Sequence, residues 1–165
     1  MWSEQSSRTG RAAAGLMLAL LLVGCGAKSS PAPADADSNL AALSYTRIFS
    51  DSSGVSHFGE RDISFHYDDY APPAAPLGAS ASGEAETLLF LTYPVGWVGD
   101  WHPAPRKQFV FILSGRVEVE VGDGEKRSFG SGDAILAADI TGPGHIARTL
   151  GNKPAVSAVV AVTPD

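Results

Sequence analysis

From about residue 44 onward the sequence predicts an all-β domain, a jelly roll or related barrel of about eight to ten short strands. Apolar residues there either alternate with polar ones or run in short blocks, which is the period of strands and not of helices. Gly, Pro, Asp and Asn bound those blocks, and the chain holds 18 Gly and 11 Pro among 165 residues. No internal repeat is visible, so the reading is one barrel and not two.

The elements follow in order. Residues 1–24 read as a targeting segment: Arg8 and Arg11 lead an apolar run from Ala12 to Val23, which is shorter than the roughly 20 residues a membrane helix needs. Residues 25–43 read as a tether, rich in Ala, Ser, Pro and Asp, and unable to bury enough apolar surface to offset the entropy of ordering. A flexible tether of about 18 residues spans roughly 25 Å on average, enough to lift a domain off a surface. Residues 44–165 hold the barrel.

Within the barrel, Ile63, Phe65 and Tyr67 alternate with Ser64, His66 and Asp68 as one strand. Ala71 to Pro76 then form an extended connector whose prolines keep it out of a central ladder. Thr87 to Tyr93 is a continuous apolar run and is expected to be buried on both faces. Phe109 to Leu113 follows, and Ser114-Gly115 turns it into Arg116 to Val121, where Val117, Val119 and Val121 alternate with Arg116, Glu118 and Glu120. Gly122-Asp123-Gly124 favours a tight hairpin into Glu125 to Phe129. Strands are also expected over Ala134 to Ala138, His145 to Leu150 and Ala155 to Val162, with a Gly-Pro-Gly loop around Pro143.

Charge and cysteine count narrow the function. The net charge is −6, and it becomes −7 without residues 1–24, which hold Glu4, Arg8 and Arg11. Nothing in that balance would neutralise phosphates, so nucleic acid is not an expected partner. Cys25 is the only cysteine. An intramolecular disulfide and a multi-thiolate zinc site are therefore both excluded.

Two resemblances add to this. Leu22-Val23-Gly24-Cys25 resembles the lipobox of bacterial lipoproteins. It implies cleavage before Cys25, lipidation of Cys25 and anchoring on a membrane without crossing it. Gly26 is not the aspartate that retains such proteins at the inner membrane, so the implied place is the outer membrane, facing the periplasm. The alternative is an ordinary secretory peptide or a short uncleaved anchor.

The second resemblance is to the cupin superfamily. Its first motif, Gly-x5-His-x-His-x3-4-Glu-x6-Gly, is approached by Gly96, His102, Ala104, Gln108 and Gly115. Its second motif is approached by Gly142-Pro143-Gly144-His145, with Ile140 where proline is expected and Thr149 where asparagine is. Gly132-Asp133 resembles the pair that precedes that motif's strand. The match runs over about residues 87–150 and implies a single-domain cupin jelly-roll barrel. In this superfamily three histidines and a glutamate commonly hold iron, manganese or zinc. Here His102 and His145 keep two of those positions, Ala104 cannot coordinate, and Gln108 offers a neutral amide, so any divalent metal would be weakly held.

The residues leave two functions open. One is a lipid-anchored cupin that binds a small, neutral or weakly anionic molecule through His102, Gln108 and His145, with Tyr93, Trp97 and Trp101 either rimming the mouth or filling the core. In that reading the histidines form a hydrogen-bonding couple without metal. The other is a metal-dependent oxygenase or isomerase, with His102, Gln108 and His145 as ligands and Asp100 or Asp139 adding a carboxylate. Either aspartate can equally be a turn or strand-end residue. His57 and His66 read as surface. Phe109 and Phe111 face away from the barrel interior, and a second sheet layer or a homodimer partner is needed to cover them.

Overall fold

The computed structural model describes residues 40–81 and 83–163. The expected signal segment, Cys25 and all but the end of the expected tether lie outside them. Among the described residues there is no helix. Eleven strands run in chain order: β1 (Leu43–Ser50), β2 (Ser56–Ile63), β3 (His66–Asp68), β4 (Leu77–Ala79), β5 (Ala85–Tyr93), β6 (Gln108–Ser114), β7 (Arg116–Glu120), β8 (Lys126–Gly130), β9 (Ala134–Ala138), β10 (Ile146–Thr149) and β11 (Ala155–Val162).

Six strands form one sheet in the order β2-β1-β9-β6-β11-β5, and β10-β7-β8 form a second. All neighbours pair antiparallel except β1 with β9. The two sheets close on a core of Ile48, Phe58, Ile112, Val117, Val119, Val121, Phe129, Ile135 and Ala155. This is the predicted all-β jelly roll.

Alternation explains which side each strand offers to that core. In β11, Ala155, Ser157, Val159 and Ala161 are buried while the residues between them are half-exposed. In β7, Val117 and Val119 are buried, and the half-buried Glu118 and Glu120 reach Arg148 at 3.1 and 2.9 Å. The β6 to β7 turn places Gly115 at φ +74°, where an added Cβ would lie 2.6 Å from the Pro154 carbonyl oxygen, so glycine alone fits.

Two expectations need correction, and two strands stand where none was expected. Ile63 to Tyr67 is not one strand: β2 ends at Ile63, and His66–Asp68 pairs with Leu77–Ala79 as a separate hairpin around the Pro-rich connector. Leu43–Ser50 and Ser56–Ile63 form strands that the alternation of LSYTRIFS and SHFGERDI does not announce, because Arg47, Glu60, Arg61 and Asp62 interrupt the apolar pattern. Above all, β5 is not buried on both faces. It is the outermost strand of the large sheet, and every residue from Ala85 to Thr92 is exposed.

Candidate functional site

Two segments far apart in sequence meet at one end of the barrel. His102 precedes β6 and His145 precedes β10, and their backbones exchange two hydrogen bonds, each N–H donating to the other's carbonyl at 3.0 Å. The side chains follow, with ring centroids 4.8 Å apart and planes tilted by 51°. Gly144 makes this approach possible. It sits at φ +76°, and a Cβ there would lie 1.9 Å from the His102 carbonyl oxygen. Gly144 is therefore a steric requirement of the histidine pair.

Each ring is oriented by an acceptor at Nδ1. The His102 Nδ1 lies 2.8 Å from the Asp100 carbonyl oxygen, and the His145 Nδ1 lies 2.7 Å from Asp139 Oδ2. A carbonyl and an ionised carboxylate only accept, so both rings carry hydrogen on Nδ1 and keep a lone pair on Nε2 when neutral. Asp139 directly follows β9 and is fully buried, 0% exposed, with its Oδ1 unpartnered among the described residues. Its backbone oxygen accepts from the Ala104 N–H at 3.1 Å, which ties the first motif to the second. The sequence offered Asp139 as a metal ligand or a strand-end residue. It ends a strand, and its carboxylate turns inward to hold His145.

His145 lines an apolar cavity of about 70 Å³ in the barrel interior, together with Tyr93, Val110, Ile112, Val117 and Val119. The Tyr93 hydroxyl is 3.1 Å from Ser157 Oγ, and its ring packs on Trp97 at 5.2 Å. Trp97 is half-buried, whereas Trp101 is exposed and stacks on no ring among the described residues. Gln108 opens β6, half-buried, and no hydrogen bond joins its amide to either imidazole among the described residues. Asp100 is exposed in the turn before His102.

The donor set fits a divalent ion poorly. Ala104, 3% exposed, fills the second histidine position with a packed methyl group. One oxygen of the Asp139 carboxylate is already engaged by His145. Among the described residues, no three His, Cys, Asp or Glu side chains gather closely enough to hold a metal. Two imidazoles without an anionic donor leave the charge of such an ion uncompensated.

A second histidine cluster escaped the sequence reading. His57 in β2 is half-buried between two carboxylates, with Nδ1 2.7 Å from Asp123 and Nε2 3.0 Å from Asp51. Those hydrogen bonds raise its pKa above the usual 6.5, and the bonds from Ser53 and His57 lower that of Asp51. Beside it, the buried Ser56 hydroxyl donates to the Gly144 carbonyl at 2.5 Å and accepts from the Gly122 N–H at 2.6 Å. The start of β2 thus braces the loop that carries His145. Asp51, His57 and Asp123 stand too far apart in sequence for spacing to reveal them.

Residues 89–161 match the family model described as "Cupin domain". This stretch is similar to a cupin domain. The matched range takes in Gly96 to Thr149, and with it His102 and His145. Among solved structures, the Schizosaccharomyces pombe Cnp3 cupin domain is 14% identical, with 65% of this chain and 74% of that chain covered at a TM-score of 0.38. Protein NMB1881 from Neisseria meningitidis is 11% identical, with 50% and 83% covered at a TM-score of 0.34. At those scores neither likeness carries function to this chain. No curated protein matches the chain.

Proposed function

We propose that the chain is a lipid-anchored, single-domain cupin that binds a small neutral molecule at the His102–His145 pair. The observation that carries this reading is the Asp139-oriented His145 ring on the wall of an apolar cavity of about 70 Å³. Two imidazole Nε2 atoms accept hydrogen bonds, and the cavity beside His145 accepts a short apolar group. A ligand with a hydroxyl or amide donor and a small apolar body answers both. An anion gains nothing from two neutral acceptors. Tyr93 and Trp97 supply an aromatic wall, while Gln108 and Trp101 enter only if a ligand draws them in. The lipobox-like Leu22-Val23-Gly24-Cys25 and the tether support a periplasm-facing place on the outer membrane.

A second reading, a weakly loaded metal enzyme, has one observation in its favour. Imidazoles whose Nδ1–H is held by a carboxylate or carbonyl are oriented as metal-binding histidines usually are. Its missing anionic donor ranks it second.

One experiment separates the two. The chain from Gly26 is purified without chelator or affinity histidines, assayed for metals by mass spectrometry, and titrated with phenol, isobutanol and acetate while melting is followed. A rise in Tm with phenol or isobutanol, absent with acetate and absent in His102→Ala, is the expected result. Near-stoichiometric metal that disappears in His102→Ala would reverse the order of the two readings.

A further inference from the structure

The six-stranded sheet has a second side, turned away from the barrel interior. In β1, β9 and β6 the alternation repeats. Ile48, Ile135 and Val110 line the inner cavity that His145 borders, while their neighbours Arg47, Leu136 and Phe109 line an outer recess of about 620 Å³. Pairing sets those three outer residues in one row, since Arg47 stands beside Leu136 and Leu136 beside Phe109. Tyr45, on the same side of β1, stands beside Arg61 of β2 and meets the Phe109 ring edge-on at 5.1 Å. Lys107, just before β6, and Glu84, just before β5, complete the rim.

Floor and rim of this recess differ in chemistry. The floor is apolar: Leu136 is 5% exposed, and the Phe109 and Tyr45 rings beside it are half-buried. The rim carries three cations, Arg47, Arg61 and Lys107, against the single carboxylate of Glu84, in a chain of net charge −6. Arg127 and Arg148 are neutralised locally, the first by Glu60 and Glu125 and the second by Glu118 and Glu120. Arg47 and Arg61 pair with no carboxylate among the described residues. Arg47 lies over the Phe49 ring at 5.0 Å, and Arg61 donates to the Glu60 carbonyl oxygen at 3.1 Å. Strand parity is the reason, because the carboxylate next to Arg61, that of Glu60, points to the other side of the sheet, toward Thr46 and Arg127.

We propose that the outer recess binds a small amphipathic carboxylate, its anionic end held by the Arg47 and Arg61 guanidiniums and its aromatic or short aliphatic body lying on Leu136, Phe109 and Tyr45. The register makes the shared grip possible. Arg47 stands opposite Gly59 and Tyr45 opposite Arg61, so the two arginines are diagonal neighbours about 7–8 Å apart at the backbone, within reach of one carboxylate. A guanidinium presents a planar fork that matches a carboxylate, and a recess of this size is ordinary for a small-molecule site. Each alternative occupant wastes one half of the recess. A bare inorganic anion leaves the apolar floor unused, and a neutral apolar molecule leaves the two charges unanswered. The recess is also the chemical opposite of the histidine pair, which accepts hydrogen bonds from a neutral donor on the inner side of the same sheet, and the proposal stands independently of that site.

NMR titration of the chain from Gly26 with 3-phenylpropionate tests this. The expected result is saturable binding at millimolar ligand, with nuclear Overhauser contacts from the phenyl protons to the Tyr45 and Phe109 rings. Losing charge-assisted hydrogen bonds to a carboxylate weakens binding by about tenfold or more, so the double variant Arg47→Gln, Arg61→Gln is expected to show that loss. Arg116→Gln, on β7 and outside the recess, and His102→Ala are expected to bind as the unsubstituted chain does. The ring contacts are read on the unsubstituted chain, so they decide the matter even if the double variant melts. Absence of saturable shifts would overturn the proposal, as would equal affinity in the double variant. Inorganic phosphate bound as tightly would show that the floor contributes nothing, and 3-phenylpropanol bound there as tightly would show that the arginines contribute nothing; either result sinks it. Contacts confined to Tyr93 and Trp97 would assign the ligand to the inner cavity and overturn it as well.

Discussion

Replacing Gly144 by alanine tests the geometry on which the histidine pair stands. An added Cβ would meet the His102 carbonyl oxygen at 1.9 Å, its carbon at 2.2 Å and the Pro103 nitrogen at 2.3 Å, all backbone atoms that cannot swing away. The residue also sits at φ +76°, where a non-glycine costs about 1–2 kcal/mol. Relieving the clash means separating the His102 and His145 backbones, which loses two hydrogen bonds of about 0.5–1.5 kcal/mol each. The reduced freedom of the unfolded alanine chain returns about 0.4–1 kcal/mol. A net loss of about 3 kcal/mol follows, or roughly 10 °C in Tm for a domain of this size. Gly132→Ala is the comparison: φ is +95°, but no atom lies within 4 Å of the added Cβ, so only the backbone cost of about 1–2 kcal/mol applies. Thermal melting of both variants, with imidazole NMR signals recorded for His102 and His145, reads the difference. Equal losses in the two variants, or unshifted histidine signals in Gly144→Ala, would refute the reasoning.

Other consequences are as concrete. Asp139→Asn removes the anionic acceptor of a charge-assisted hydrogen bond inside the barrel and is expected to cost about 1–3 kcal/mol in chemical denaturation. His57→Gln tests the brace between Asp51 and Asp123. Because the folded His57 pKa is raised, its stabilisation is fully present below pH 6.5 and is lost as pH rises through the folded value. The Tm gap between wild type and His57→Gln should therefore be widest near pH 5.5 and narrow by pH 9, and a gap constant with pH would contradict this. Asp51 runs the other way: its pKa is lowered, so its contribution is present above 3.8 and disappears as pH falls through the folded value. Ile112→Ala, in the core at 2% exposure, is expected to cost about 2–5 kcal/mol by equilibrium unfolding, with Leu113→Ala far milder.

The strands of the second half were legible because their alternation is clean. Val117 and Val119, and the residues of Ala155–Val162, point where their period says they should. β1 and β2 were hidden by charges that serve local pairs, as when Thr46 donates to Glu60 across the two strands at 3.1 Å. The Thr87–Tyr93 run misled for a different reason. Composition reports that a strand wants cover on both faces, not whether its own chain supplies it. At the site, motif spacing brought out His102 and His145, and their meeting follows from the close approach at Gly144. It could not reveal that Asp139 would face inward and take the His145 ring, since an aspartate after an apolar strand is equally at home in a turn. Nor could spacing place Gln108, whose amide stands half-buried at the start of β6 without a hydrogen bond to either ring among the described residues.

The central claim is that the paired imidazoles both offer an unprotonated Nε2, with the His145 ring on the wall of an apolar chamber. Long-range proton–nitrogen NMR correlation on uniformly labelled protein, at a pH where both rings are neutral, reads that state directly. The account predicts hydrogen on Nδ1 and a bare Nε2 for His102 and His145 alike, with both Nε2 signals moving when phenol is added. Hydrogen on Nε2 of either ring, or Nε2 signals indifferent to every small donor tried, would contradict it.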